Sequence, residues 1–493
     1  MLINPQGLLY VENGGLVPPD PDYEPCQETN DKGYCLLDNS DYETTVAMTF
    51  QFPTDHLYGL PGREYSFNLP TTEESGPYRL FNKGPPTLYP DEILGLTGSI
   101  PYVTGRTTEW DSAVAWVNAA DTWVDILKDK SGDYTNVNFA SEGGLLHFFV
   151  YASVQEDSPA RITNNLAQIT GYLVMPPIAA LGFHFSKWAP ISSEMVIERS
   201  QNFTHYNFPV DGLWTDIQYA LWSEDENTGS DDYRWFTWNP YNFTDNGIED
   251  MKDELIESKR HFTTILDPYI KEQDDYFVFT DGMLLQDAKW AVGDASNIFM
   301  RDDQGDTFFG QNRAGNSTFM DFLNENAQDY WSDLYTKFEH TDHLFYVWND
   351  VQDPPVYNGP MGAMPVQNQH IKKDGTVVLH RDIHNAYGPL ETKATYEGMR
   401  RRDGDGHRHF ILSRSFFLGS QKYGATWLGD NLCVYGEVSG ALQAILSQGV
   451  SGHPFTGADL PGFKYEPEDN FWIMMYQFGT FFPFMRAHSH ESW

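Results

Sequence analysis

The sequence predicts a β plus α/β protein: an N-terminal β-sandwich over residues 1–162 followed by a (β/α)8 barrel over 163–493. Three observations predict it. Up to about residue 160 the chain is a series of short apolar strands broken by Gly- and Pro-containing turns. From about residue 165 it becomes eight apolar strands, most of them separated by helix-length polar or amphipathic stretches. These later strands also end repeatedly on charged residues, whereas no Gly-rich phosphate turn follows any of them, which disfavours a doubly wound open sheet.

In chain order the sandwich strands are GLLYVENG, TTVAMTFQF, YRLFN, SIPYVTG, AVAWVN, TWVDILK and LLHFFVYAS. The Pro-rich polar stretch VPPDPDYEPCQETNDKG after the first is a surface loop. The barrel strands are LGFHFSKW (181–188), VDGLWTDI (210–217), HFTTILDP (261–268), HLFYVWND (343–350), HFILSRS (409–415), YGATWLGD (423–430), GVSGHPFTGAD (449–459) and FFPFMRAH (481–488). Helices are expected at IEDMKDELIESKR and NENAQDYWSDLYTKF. The strand ends present Asp216, Asp267, Asp350, Arg414, Asp430, Asp459, Arg486 and His488. Because the C-terminal ends of barrel strands share one face, these residues converge on one pocket although they are far apart in the chain.

Composition narrows the function. Seventy acidic residues against 31 basic ones give a formal charge of -39 at pH 7, which repels nucleic acid backbones and anionic membranes. No run of eighteen apolar residues and no basic-flanked apolar leader is visible, so neither a transmembrane helix nor a signal peptide is read from the chain. Cys26 and Cys35 are spaced to close one small loop, and Cys433 reads as a buried free thiol. Asn202, Asn242 and Asn316 fit the N-glycosylation acceptor pattern, weak evidence for a secretory route.

Several carboxylates beside Trp348, Trp427, Phe463 and Arg414 suit a neutral polyhydroxylated ring: aromatic faces stack on the sugar while Asp and Arg bind its hydroxyls. Cleaving a glycosidic bond needs one ionised carboxylate and one protonated carboxyl, and mutual repulsion separates their pKa values. On the residues alone, Asp350 reads equally as such a carboxylate or as a helix cap or buried salt-bridge partner, and Asp267, followed by Pro268, as a strand terminator. Metal is the chemical rival. However, the histidines of GDGHRHF precede a strand, and DDQGD and SEDENTGSDD lack calcium-loop spacing, so no metal or other cofactor is expected.

The motifs VWNDVQDPPVYNGP, HRDIHNAYG, RSFFLGSQKYGATWLGDN, GADLPGF and YQFGTFFPFMRAHSH, with FPTDHLYGLPGREYSFNL upstream, resemble glycoside hydrolase family 31 in order and over nearly the whole chain. The resemblance implies a retaining α-glucosidase in which Asp350 is the nucleophile and Asp430 the general acid/base. It further implies that Asp216, Arg414, Asp459 and His488 hold sugar hydroxyls, and that Trp348, Trp427 and Phe463 form the apolar walls. Arg486 joins the substrate-binding set from its strand-end position. The likeness is strongest to the family's endoplasmic-reticulum members. It therefore implies a glucosylated N-glycan or other α-glucoside as substrate, a regulatory β subunit as partner, and the endoplasmic-reticulum lumen or another secretory or lysosomal compartment. An α-xylosidase, a transglucosylase, an α-glucan lyase and a non-catalytic carbohydrate-binding relative remain open on the same motifs.

Departures from the family pattern are Val351 to Pro355 where members commonly read MNEPS, Leu460–Pro461 after GAD, Tyr269 in place of a His, and FFGQNRAGNSTFMDF in place of a Trp-Pro-Gly wall. The acidic insertion LWSEDENTGSDDY follows the second barrel strand. The family continues beyond the eighth strand with a last helix and β domains, so a partial chain is expected, with the barrel incomplete after that strand.

Overall fold

The computed structural model describes residues 2–3, 45–63, 66–84, 97–153, 158–220, 224–225, 230–231, 233–291 and 297–490. The expected strand GLLYVENG, the loop carrying Cys26 and Cys35, and most of the acidic insertion lie outside these residues.

The N-terminal part is two antiparallel sheets. One runs in space Leu2–Ile3, Val46–Phe52, Thr135–Ser141, Thr122–Lys128, Tyr78–Leu80; the other runs Leu57–Gly59, Tyr102–Arg106, Asp111–Trp116, Phe148–Ser153. Alternation along Val46–Phe52 sends Met48, Phe50 and Phe52 inward. There they meet Leu57, Trp116, Val124, Ile126, Val137 and Phe139 in one core. Thr135–Ser141 was not expected from the pattern. Only Val137, Phe139 and Ala140 of its seven residues are apolar, and register is completed by polar pairing such as Gln51 Nε2 donating to Asn136 Oδ1 at 3.2 Å.

Helix Ser158–Thr170 then wedges between the two parts. Its Ile162 and Leu166 pack on Ile100, Tyr102, Tyr151 and Phe416, and Gln421 Nε2 donates to Thr170 Oγ1 at 2.9 Å and to the Gly171 carbonyl at 2.7 Å.

The barrel strands are β1 (Phe183–Phe185), β2 (Gly212–Trp214), β3 (His261–Leu266), β4 (Phe345–Asn349), β5 (Ile411–Ser413), β6 (Ala425–Trp427), β7 in two segments (Thr456–Gly457 and Asp459–Pro461) and β8 (Met485–His488). All pairings are parallel. The first segment of β7 pairs with β6 through Thr426 and Thr456, and the second pairs with β8 through Asp459 and Arg486. β8 pairs with β1, so the bend at Ala458 closes an eight-stranded barrel.

The expected seventh strand began at residue 449. Instead helix Tyr435–Val450 runs into a turn at Gly452 (φ 90°), a conformation open to glycine, and only the last third of the expected stretch is extended. Both expected helices form, as Asp245–Ser258 and Glu325–Lys337. Thr244 and Asn324 cap them, accepting from the backbone N–H of Gly247 and Asn326. Between β5 and β6 there is only a 3-10 turn, Ser420–Lys422, against which the end of helix Ser158–Thr170 is anchored.

A polar seam joins sandwich to barrel. Asn385 accepts from the Asn82 backbone N–H at 2.8 Å, donates through Nδ2 to the carbonyls of Leu80 at 2.9 Å and Ala120 at 3.2 Å, and is buried. Beside it Asp321, His370, His380 and His384 form a buried row: Asp321 Oδ1 to His370 Nδ1 is 2.6 Å, His370 Nε2 to His380 Nδ1 is 3.1 Å, and His380 Nε2 to His384 Nδ1 is 2.9 Å. The row ends with His384 Nε2 at 2.7 Å from the Asn82 carbonyl. Phe81 stacks on His384 at 3.9 Å. Asn385→Ala is expected to cost about 3 kcal/mol, because it takes a partner from three buried backbone groups, of which Ala120 alone keeps the Thr122 hydroxyl as a side-chain donor. The check is the urea midpoint, which should fall without loss of the helical circular-dichroism signal.

Candidate active site

At the C-terminal mouth of the barrel lies a cavity of about 350 Å³. Seven of the ten expected site residues line it: Asp216, Trp348, Asp350, Arg414, Asp430, Phe463 and His488. Trp427, Asp459 and Arg486 lie among the buried residues outside that lining.

Asp350 follows β4, its N–H donating to the Leu266 carbonyl at 3.0 Å, and is only 7% exposed. Val351 turns the chain away at φ 51°, a left-handed position for a β-branched residue that costs on the order of 1–3 kcal/mol. Arg414, just beyond β5, presents Nε to Asp350 Oδ1 and donates from Nη2 to Asp350 Oδ2 at 3.0 Å. The same Nη2 donates to Asp430 Oδ1 at 3.3 Å. Two oxygens held by one nitrogen at 3.0 and 3.3 Å are at most about 6.3 Å apart, a bound that admits the about 5–5.5 Å of retaining carboxyl pairs. Burial raises the Asp350 carboxyl above its ordinary value, opposed by the Arg414 charge and assisted by Asp430. Both oxygens of Asp350 face the guanidinium, against one of Asp430.

Asp216 caps the turn Ile217–Tyr219, accepting from the Ile217 N–H at 2.7 Å, and its other oxygen is 3.5 Å from His488 Nε2. Burial pushes its carboxyl up to about 7. Burial, with the Arg486 and Arg414 charges, holds His488 neutral, well below its ordinary value. His488 stacks on Phe463 at 5.0 Å and meets the edge of Trp348 at 5.2 Å. Beneath them Arg486, fully buried, donates to Asp459 Oδ1 at 2.7 Å and sits 5.0, 4.4 and 5.2 Å from the rings of Trp214, Trp348 and Trp427.

Further lining residues were not singled out as ligands from the sequence: Trp188, Tyr269, Arg313, Val351, Tyr357 and Lys464. Asp267, weighed there as a strand terminator, also lines the cavity. It accepts from the Tyr269 hydroxyl at 2.5 Å, and burial beside Asp350 pushes it up to about 8. Tyr269, Arg313 and Val351 occupy three of the stretches that depart from the family pattern, and those departures were their only signal. Asp353, the shorter acid in VQDPP, faces away from the cavity to the sandwich, accepting from the Gly84 N–H at 2.5 Å.

Glu391 supports β4 from behind: it is wholly buried and accepts from Asn349 Nδ2 at 3.1 Å. Burial raises its carboxyl well above the ordinary value, so it is protonated in the fold and ionised in the unfolded chain above about pH 4.3. The unfolded state then binds fewer protons, and stability falls as pH rises from that value toward the raised one. Glu391→Gln is expected to flatten this decline and to raise the denaturation midpoint at pH 7 relative to pH 4.5. Equal pH slopes for the two proteins would refute it.

The comparisons agree with this geometry. A model described as the glycosyl hydrolases family 31 TIM-barrel domain matches residues 173–493, and one described as the glycosyl hydrolase 31 N-terminal galactose mutarotase-like domain matches 10–125. Neutral alpha-glucosidase AB of Sus scrofa is 33% identical over 470 residues, covering 91% of this chain and 46% of the relative. A crystal structure of the glucosidase II alpha subunit bound to alpha3-Glc2 is 32% identical with a TM-score of 0.82, over 91% of this chain and 48% of that one. The ER glucosidase II heterodimeric complex, of catalytic subunit and the binding domain of the regulatory subunit, gives 31% and 0.84, over 99% of this chain and 52% of that one. The chain thus spans about half the length of the relatives it matches. A closed barrel behind a β-sandwich, with its strand-end acids gathered around one arginine and a family model covering most of its length, establishes that the chain belongs to glycoside hydrolase family 31.

Proposed function

We propose that this chain carries the catalytic centre of a retaining α-glucosidase that removes terminal α-linked glucose, with α-1,3-linked glucose on N-glycans as its substrate class. The single observation that supports it most is Arg414 Nη2 bound at once to Asp350 and Asp430. Asp350 attacks the anomeric carbon while Asp430 gives its proton to the leaving oxygen; Asp430 then takes a proton from water as the water displaces Asp350. Asp216, His488 and Arg414 hold ring hydroxyls, Trp348 and Phe463 wall the ring, and Asp459, Arg486 and Trp427 hold these groups from below. Likeness to a glucosidase II alpha subunit bound to alpha3-Glc2 supports the linkage, and the heterodimeric complex supports a regulatory partner and an endoplasmic-reticulum location. Among the described residues no helix is long and apolar enough to cross a membrane.

The test is a panel of α-1,3, α-1,4 and α-1,6 glucose disaccharides followed by NMR. Release of α-glucose, fastest from the α-1,3 linkage, is expected. Anhydrofructose would identify a lyase, longer oligosaccharides a transferase, preference for xylosides an α-xylosidase, and binding without turnover a carbohydrate-binding relative.

A further inference from the structure

We propose that the outer rim of this cavity is a separate subsite, built from Arg313 and Lys464 around Trp188, that binds an anionic group carried on the leaving-group side of the substrate. The inference rests on reading the cavity as an α-glucoside site and adds which aglycones it selects.

Arg313 stands at the turn of the hairpin Gly310–Asn312 and Gly315–Phe319, in the excursion after β3. That turn is held firmly. Asn312 Oδ1 accepts from the Ala314 N–H at 2.8 Å, the Tyr357 N–H donates to the Gln311 carbonyl at 2.7 Å, and the Gln311 N–H donates to Asn358 Oδ1 at 2.9 Å. The guanidinium sits 5.2 Å from the Trp188 ring. Trp188 in turn stacks on Phe463 at 6.1 Å, and Lys464 follows directly, its carbonyl fixed by the Cys433 N–H at 2.9 Å. Both cations line the cavity, and Arg313 is exposed where Asp350 is not, which places it outward of the reacting carbon.

The plain alternative is that these cations neutralise the acids within. Arg313 does attract Asp216 and Asp267 and hydrogen-bonds with Tyr357, but each inner acid has a nearer hydrogen-bond partner: Asp350 and Asp430 have Arg414, Asp216 has the Ile217 N–H, Asp267 has Tyr269 and Asp459 has Arg486. Among the described residues neither Arg313 nor Lys464 forms an ion pair. In a chain of formal charge -39, two cavity-lining cations without a paired carboxylate within ion-pair distance, one of them over an indole, form a cradle for an anion attached to a flat or ring-shaped group. Hydroxyls alone would not complete that charge.

The test measures binding rather than turnover. Calorimetry compares phenyl α-thioglucoside with its 4-carboxy and 4-sulfo derivatives, on the parent protein, Arg313→Gln and Arg313→Lys, at low and high salt. The charged ligands are expected to bind the parent about ten-fold tighter than the neutral one, with a gap that narrows in high salt. The gap should close in Arg313→Gln and partly persist in Arg313→Lys. The carboxylate and sulfonate arms show which anion geometry the cradle prefers. Equal affinities in the parent, or a gap unchanged in Arg313→Gln, overturn the rim subsite while leaving the glucoside reading intact. Failure of the neutral thioglucoside to bind while glucose also fails overturns the glucoside reading itself, and the rim subsite with it.

Discussion

Asp350→Asn is expected to fold and to lose turnover of an aryl α-glucoside by on the order of 10⁴-fold or more, because it removes the carboxylate proposed to form the glycosyl–enzyme bond. Asn keeps the shape but cannot hold charge against Arg414 Nε and Nη2, so the guanidinium is left with Asp430 alone. Two measurements separate the chemistry from a folding defect. The denaturation midpoint should change little compared with the activity, and added azide should recover α-glucosyl azide from an Asp430→Ala protein but not from Asp350→Asn. A purified, folded Asp350→Asn protein working at the parental rate would end the assignment of this residue as nucleophile.

The largest effect on stability is expected at Arg486→Met. The arginine is fully buried, donates to Asp459 at 2.7 Å and lies over three tryptophan rings; removing it leaves a carboxylate in the barrel interior without its cation. Breaking such a pair from one side costs about 3–5 kcal/mol, whereas replacing both partners by apolar groups is often close to neutral. Arg486→Met should therefore lower the urea midpoint sharply, and Asp459→Leu in the same chain should recover most of the loss. Additive losses in the double variant would show that the pair is not the unit of stability. Burial already pushes Asp459 up to about 7, against Arg486. In the single variant the acid is expected to be neutral at pH 7, which moderates the loss at acid pH.

These two residues were legible in the sequence for the same reason: each sits at the C-terminal end of a strand written in apolar letters, and parallel pairing in a closed barrel brings such ends together whatever lies between them. Register does the rest, as Asp459 opposite Arg486 shows. What was not legible lies where conformation, not pattern, decides. Arg313 is ordinary in a polar stretch, and only the hairpin turns it to the cavity. Thr135–Ser141 lacks a run of apolar letters because one of its faces pairs polar groups across the sheet. Asp353 stands as a shorter acid where family members commonly have the Glu of MNEPS, and its reach to Gly84 makes it a clasp between sandwich and barrel. The bend that splits β7 has no signature beyond a small residue, Ala458, between two glycine-rich or proline-bearing halves.

The histidine row at the seam carries an arithmetic consequence. Four contacts link a carboxylate to a carbonyl through three imidazoles, and three neutral rings bring only three N–H groups. If each ring donates toward Asp321, His384 Nε2 meets the Asn82 oxygen bare, acceptor against acceptor. A fourth hydrogen completes the file. Burial disfavours charge on His380 and His384. The union of sandwich and barrel is thus stoichiometric in hydrogen ions as well as in surface, and all three rings must share one tautomeric sense for either half to grip the other.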